Sequence, residues 1–252
     1  MKNLFDISGK VALVTGGRRG LGLAMARGLA EAGARIAVAS ASKEHAELRK
    51  AVESAGGELE YIQADLADRA QRAGLVDRVV RHYGRLDILV NCAGIQHRQP
   101  AIEFELAKWD EIISLMLTAV FELSQQAARV MVEQGGGKII QIASLASFQG
   151  GWTIPAYAAA KHGVAGLTKA LANEWASKNI NVNAIAPGYF ETDMCAPLIR
   201  DPIREPKIRE RIPAGRWGRP DDIVGPLLFL ASEASRYVHG HVLVVDGGWM
   251  GR

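Results

Sequence analysis

Lys10-Val11-Ala12-Leu13-Val14-Thr15-Gly16-Gly17-Arg18-Arg19-Gly20-Leu21-Gly22 is the stretch on which the fold turns. Its first six residues are a short run with β-branched side chains, its glycines mark a tight turn, and apolar residues then recur at helical spacing over 21–31. Strand, turn and helix follow in that order. Similar apolar runs appear at 35–39, 59–64, 87–91, 138–143, 181–186 and 241–245, with amphipathic segments of helical length between nearly all of them. The runs are almost wholly apolar rather than alternating, which requires burial on both faces. A seven-stranded parallel sheet with helices on both sides, a doubly wound α/β fold, is expected.

Hydrophobic residues make up 48% of the chain and charged residues 23%, the proportions of an ordinary globular protein. No Pro/Ser-rich linker or charge block divides it, so one domain over 1–252 is expected. The formal charge of +3 is scattered, whereas a nucleic-acid surface needs clustered basic residues; no nucleic-acid partner is expected. Cys92 and Cys195 are far apart and suggest neither a disulfide framework nor a zinc site, which suits the reducing cytoplasm. The first residues lack an export signal, and no run approaches the roughly 18 apolar residues of a membrane span. His45, His82, His162, His239 and His241 lack paired ligand spacing, so no metal is expected.

In doubly wound sheets, ligands bind beyond the carboxyl ends of the strands. Gly16, Gly20 and Gly22, with Leu21, form a G-x-x-x-G-x-G turn at a helix N-terminus, where bare backbone N–H groups suit a pyrophosphate. The plainer reading is a tight connection. Asp65 and Leu66 follow the third strand and suit an adenine edge, although Asp65 is also a natural helix N-cap. Asn91-Cys92-Ala93-Gly94 follows the fourth strand. Ala93 and Gly94 leave room for a flat nucleotide, and Asn91 can either join them or tie strands together. After the second strand stands Ser40-Ala41-Ser42-Lys43, with no carboxylate to repel a 2′-phosphate. Ser40, Ser42 and Lys43, with Arg18 and Arg19, suit that phosphate, so NADP(H) is favoured and NAD(H) stays open.

Tyr157-Ala158-Ala159-Ala160-Lys161 puts a phenol and an ammonium one helical turn apart. A neighbouring cation favours the phenolate and is expected to lower the phenol's pKa into a useful range. Ser144, at the end of the fifth strand, is placed to hold the same carbonyl oxygen that Tyr157 protonates.

With these motifs in order, the chain resembles the short-chain dehydrogenase/reductase family over essentially its whole length. The resemblance implies a Rossmann-type fold, Tyr157 as general acid/base, Ser144 orienting substrate, and Lys161 binding the nicotinamide ribose. It also implies that Tyr157, Pro187, Gly188 and Thr192 border the nicotinamide, and that the protein is a homotetramer formed through the helices carrying Met116 and Tyr157. Met116 itself departs from the pattern. The family usually has an Asn there that positions a water in the proton relay, and a thioether is too weak an acceptor to replace it.

Phe148-Gln149-Gly150-Gly151, Ala172-Asn173-Glu174-Trp175 and Ile212-Pro213-Ala214-Gly215-Arg216-Trp217-Gly218 resemble the family's sugar-acid branch. Such a small-molecule substrate needs a cation for its carboxylate, and His97 and Arg98 are the candidates, with Arg200 and Arg204 further along. Gln149 and Trp152, with Ser144 and Tyr157, are expected to line the same pocket. Residues 191–211 mix prolines and charges and read as a partly helical substrate lid. The expected activity is hydride transfer between NAD(P)(H) and a secondary alcohol or ketone of a sugar acid or ketouronate of the 2-dehydro-3-deoxy-gluconate type. The alternatives are reduction of another carbonyl, such as a 3-oxoacyl group or cyclic diketone, and a low-activity dinucleotide-binding scaffold in which Met116 has stopped turnover.

Overall fold

Seven strands form where the apolar runs lie: β1 (Val11–Thr15), β2 (Arg35–Ser40), β3 (Leu59–Gln63), β4 (Ile88–Asn91), β5 (Gly137–Ile142), β6 (Ile180–Pro187) and β7 (Val242–Val245). The computed structural model describes residues 3–252. Every strand falls within a residue or two of its expected limits, because an apolar run flanked by glycine or polar residues can be buried only over its apolar length.

The strands pair in the order β3-β2-β1-β4-β5-β6-β7, and every neighbouring pair is parallel. Alternate side chains face opposite sides, as a pleated strand requires. Val11 and Leu13 point toward α4 (Leu75–Tyr83), α6 (Ala119–Gln134) and α7 (Pro155–Trp175). Ala12 and Val14 point toward α1 (Gly20–Glu31), α2 (Ala46–Ser54) and α10 (Val224–Ala231). All five residues of β1 and all eight of β6 are buried. That burial on both faces fixes the register, since a slip of one residue would exchange the two cores.

The remaining helices are short or interrupted. α3 (Arg69–Arg72) precedes α4, while α8 (Ala196–Ile199) and α9 (Arg204–Arg211) lie in the segment expected to be a lid. α5 (Leu106–Ile113) runs into α6 through a π-helical turn at Ser114–Thr118, so the helix expected to carry Met116 is one rod with a widened turn at Met116. The segment with α8 and α9 is closed at its base: Gly218 N–H donates to Tyr189 O and Glu191 N–H to Gly218 O, both at 2.8 Å.

Strand order reverses between β1 and β4, and the loops after these strands diverge to leave a crevice. Thr15 defines its floor. Its Oγ1 accepts from the N–H groups of Cys92 and Ala93 at 3.0 and 3.1 Å, fastening the β4 loop to the end of β1.

Candidate active site

A cavity of about 530 Å³ runs along this crevice from the loop after β2 to the N-terminal turns of α7. One end is walled by Arg18, Ser40, Ser42, Asp65 and Leu66, and the middle by Gly16, Arg19, Gly20, Leu21, Gly22, Ala93 and Gly94. Ser144, Tyr157, Lys161, Pro187, Gly188 and Thr192 close the other end, with Arg98 and Gln149 beyond them.

The glycine turn is shaped by close approach. Gly16 has φ +69°, and a Cβ there would sit 2.8 Å from the Ala93 Cα; at Gly22 a Cβ would meet Gly16 O at 2.2 Å. Neither position tolerates a side chain without moving backbone, so the start of α1 presents its N–H groups to the cavity. These residues fit a dinucleotide: a bare helix N-terminus for the pyrophosphate, and, for a 2′-phosphate, the Ser40 and Ser42 hydroxyls at and after the end of β2 with the Arg18 guanidinium from the glycine turn. β3 braces the loop after β2, through Tyr61 Oη donating to Ser42 O at 2.5 Å and Gln63 Nε2 to Ala41 O at 3.1 Å.

At the chemical end, Pro155 opens α7 at its first turn, where a missing N–H costs nothing. Tyr157 and Lys161 then follow on one face. The Lys161 Nζ lies 5.7 Å from the centroid of the Tyr157 ring and donates to the carbonyl of Ile142, the last residue of β5. Burial pushes the Lys161 ammonium down to about 8, with Cys92 opposing. The expectation of an acidified phenol needs correction here. Burial raises the Tyr157 pKa above its ordinary value, against a hydrogen bond with Ser144 and the charge of Arg98, while Lys161 directs its ammonium to the Ile142 carbonyl.

Six expected contacts lie off the cavity wall, Arg200 and Arg204 in the segment after Thr192 among them. Asn91 is buried beneath it, donating through Nδ2 to Gln141 Oε1 at 2.8 Å and Ser124 Oγ at 3.3 Å, so it ties β4 to β5 and α6. Lys43 is exposed in the loop after β2. His97 turns to Gln99 Oε1 at 3.2 Å and packs edge-on against Phe104. Trp152 is 83% exposed. The expected N-cap role of Asp65 belongs instead to Asp68, whose carboxylate accepts from Ala70 N–H; Asp65 accepts from Ala67 N–H in the turn before it.

Met116 is 1% exposed, lines the cavity and packs toward Gly94, where a Cβ would sit 3.3 Å from its Cε. Arg98 has no paired carboxylate among the described residues, and its pKa is drawn down by desolvation and then by Arg204 on α9. Sequence reading missed Gln96, Tyr189, Met194 and Cys195, which also line this end. Tyr189 had a signal, since it directly follows Pro187 and Gly188; Cys195 had none, being brought in by the turn before α8.

The family model described as "Enoyl-(Acyl carrier protein) reductase" matches residues 16–250. A 2-dehydro-3-deoxy-D-gluconate 5-dehydrogenase from Dickeya dadantii is 50% identical over 251 residues, covering 99% of both chains. A solved structure from Agrobacterium tumefaciens with bound NADP is 48% identical, with a TM-score of 0.93 and 100% of both chains covered. A gluconate 5-dehydrogenase from Burkholderia cenocepacia, solved with NADP and tartrate, is 41% identical, with a TM-score of 0.94 and coverage of 99% of this chain and 98% of the other.

Proposed function

Because the chain belongs to the short-chain dehydrogenase/reductase family, we propose that it is an NADP(H)-dependent oxidoreductase of a sugar acid, interconverting a secondary alcohol and a ketone. One observation carries this reading: Ser144, Tyr157 and Lys161 stand together at one end of a single cavity whose other end offers Arg18, Ser40 and Ser42, with no carboxylate from the loop after β2 on its wall. The similar chains named above, two for gluconate-type sugar acids and two solved with NADP, support it.

The glycine turn and the start of α1 hold the pyrophosphate, Arg18, Ser40 and Ser42 take the 2′-phosphate, and Pro187, Gly188 and Thr192 border the nicotinamide. Bound NADP(H) supplies or accepts the hydride. Ser144 and Tyr157 both direct hydroxyls at the substrate oxygen. In reduction Tyr157 gives that oxygen its phenolic proton, and the cationic form of Lys161 beside it stabilises the phenolate left behind. Arg98 binds the substrate carboxylate, an arrangement suited to a planar guanidinium with no acidic partner of its own. Residues 191–211, with Arg204 facing Arg98, cover the bound substrate and exclude water within this single domain.

No described helix is long and apolar enough to cross a membrane. Two free cysteines fit a cytoplasmic enzyme, and a homotetramer is the assembly that follows from the family pattern.

The test is spectrophotometric: NADPH and NADH oxidation against 5-keto-gluconate and a 2-dehydro-3-deoxy-gluconate-type diketo acid, with Tyr157→Phe as control. Faster turnover with NADPH, reduced by about 10²- to 10⁴-fold in Tyr157→Phe, is expected. Turnover that survives Tyr157→Phe, or that favours acyl-carrier ketones, would overturn the assignment.

A further inference from the structure

Arg72 is 2% exposed, and none of the chemistry above uses it. A buried guanidinium is costly unless every donor finds a partner, and an apolar side chain of similar volume would often serve packing equally well. Here the partners are two carbonyls of one cavity wall, the hydroxyl at the start of the turn that forms another, and Glu122 on α6. Nη1 donates to the carbonyls of Leu66 and Ala67 at 2.8 and 3.0 Å and to Ser114 Oγ at 3.3 Å, while Nε donates to Glu122 Oε2 at 2.5 Å. The Ser114 hydroxyl donates in turn to Ala67 O at 2.8 Å. Leu66 and Ala67 lie on the wall beside Asp65; Ser114 opens the π turn, whose next two residues, Leu115 and Met116, lie on the wall further in. Hydrogen bonds from Arg72 and Arg69 hold the Glu122 carboxyl below its usual range, so the anion that anchors the guanidinium stays charged at neutral pH.

We propose that Arg72 is a positioning residue that joins the adenine-side loop 65–67 to the π turn, so that a nucleotide seated against the loop fixes the backbone facing Tyr157 and Lys161. The proposal rests on the dinucleotide reading of the cavity. The two carbonyls and the Ser114 hydroxyl share one nitrogen with two hydrogens, and Ser114 also donates to Ala67 O, so a displacement on either side disturbs the bonds of the other. Stiffening at one wall is therefore passed to the other through a single rigid plane rather than through loop packing.

Adenosine 2′,5′-bisphosphate separates the two ends, since it carries the adenine, ribose and 2′-phosphate and nothing that reaches Tyr157. Hydrogen exchange is measured with and without it on the wild-type chain, on Arg72→Gln and on Ser114→Ala. The last variant leaves the Arg72–Glu122 pair in place and guards against a folding defect. In the wild type, exchange slows about fivefold or more both in 64–68 and in 113–119. In either variant the slowing in 64–68 persists and that in 113–119 is lost, a separation that general destabilisation would not produce. Exchange in 113–119 that ignores the ligand in the wild type, or slows equally in both variants, overturns the proposal. If neither segment of the wild type responds, the nucleotide reading has failed, and the coupling falls with it.

Discussion

Tyr157 and Lys161 are paired in sequence by helical spacing alone, yet their electrostatics could be read only from the fold. The four-residue interval fixes that they share a face; it does not reveal that both are buried, which raises the phenol's pKa and lowers that of the ammonium. Lys161 then titrates near 8, and its cationic form is the one that supports proton delivery by Tyr157. In the free enzyme, kcat/KM for ketone reduction should hold steady below that pH and fall as pH rises through about 8, while oxidation moves the opposite way. A profile flat from pH 7 to 9 would show that Lys161 does not govern the step. The same shift bears on folding. The folded chain gives up this proton before the unfolded chain does, so Lys161 contributes stability that rises between about 8 and the ordinary lysine value of 10.5. Met116 tests the relay from the other side. Met116→Asn places an amide where the family usually has one, and kcat should rise several-fold with little change in KM. An equal or lower kcat would mean that backbone carbonyls of the π turn already hold the water.

At the scale of elements, strands were the most legible feature because their burial on both faces leaves an uninterrupted apolar signature, as in Val11–Thr15 and Ile180–Pro187. The π turn at Ser114–Thr118 was not, since its residues are ordinary helix components and the widening reflects contacts made elsewhere. Arg72 was equally hidden: nothing local announces a partner fifty residues away on α6. Asn91 shows the intermediate case, where strand-tying was read beside cofactor contact and the geometry gives the former. The junction of β1 and β4 carries its own prediction. Thr15→Val keeps the shape of the side chain but removes the acceptor for the Cys92 and Ala93 N–H groups. Stability should fall by about 1–3 kcal/mol, read as a lower urea midpoint with an unchanged m-value, and NADPH affinity should fall with it. An unchanged midpoint would show that the loop amides find other partners.

For the molecule as a whole, the seven-stranded parallel sheet and a ligand crevice beyond its carboxyl ends were legible in a few spaced residues, whereas the order of the strands came only from the structure. Surfaces were harder to read, because a polar exterior is compatible with many assemblies. Phe121 and Val132 on α6 remain 40% and 45% exposed, on the helix through which family members associate by the resemblance noted above. Light scattering should give a tetramer mass, and Phe121→Glu should yield smaller species; a monomer at micromolar concentration would remove that expectation. The knot of backbone bonds joining Tyr189, Glu191 and Gly218 has a consequence for how such a protein can diversify. The segment from 191 to 217 enters and leaves through one pinched doorway; Thr192 and Cys195 border the cavity at its start and Ile212 and Ala214 are fastened to the frame at its end, so the stretch between them is the part whose length and composition can be rewritten. New appetites for substrate can thus be acquired by exchanging a cassette, with the machinery for hydride and proton inherited intact.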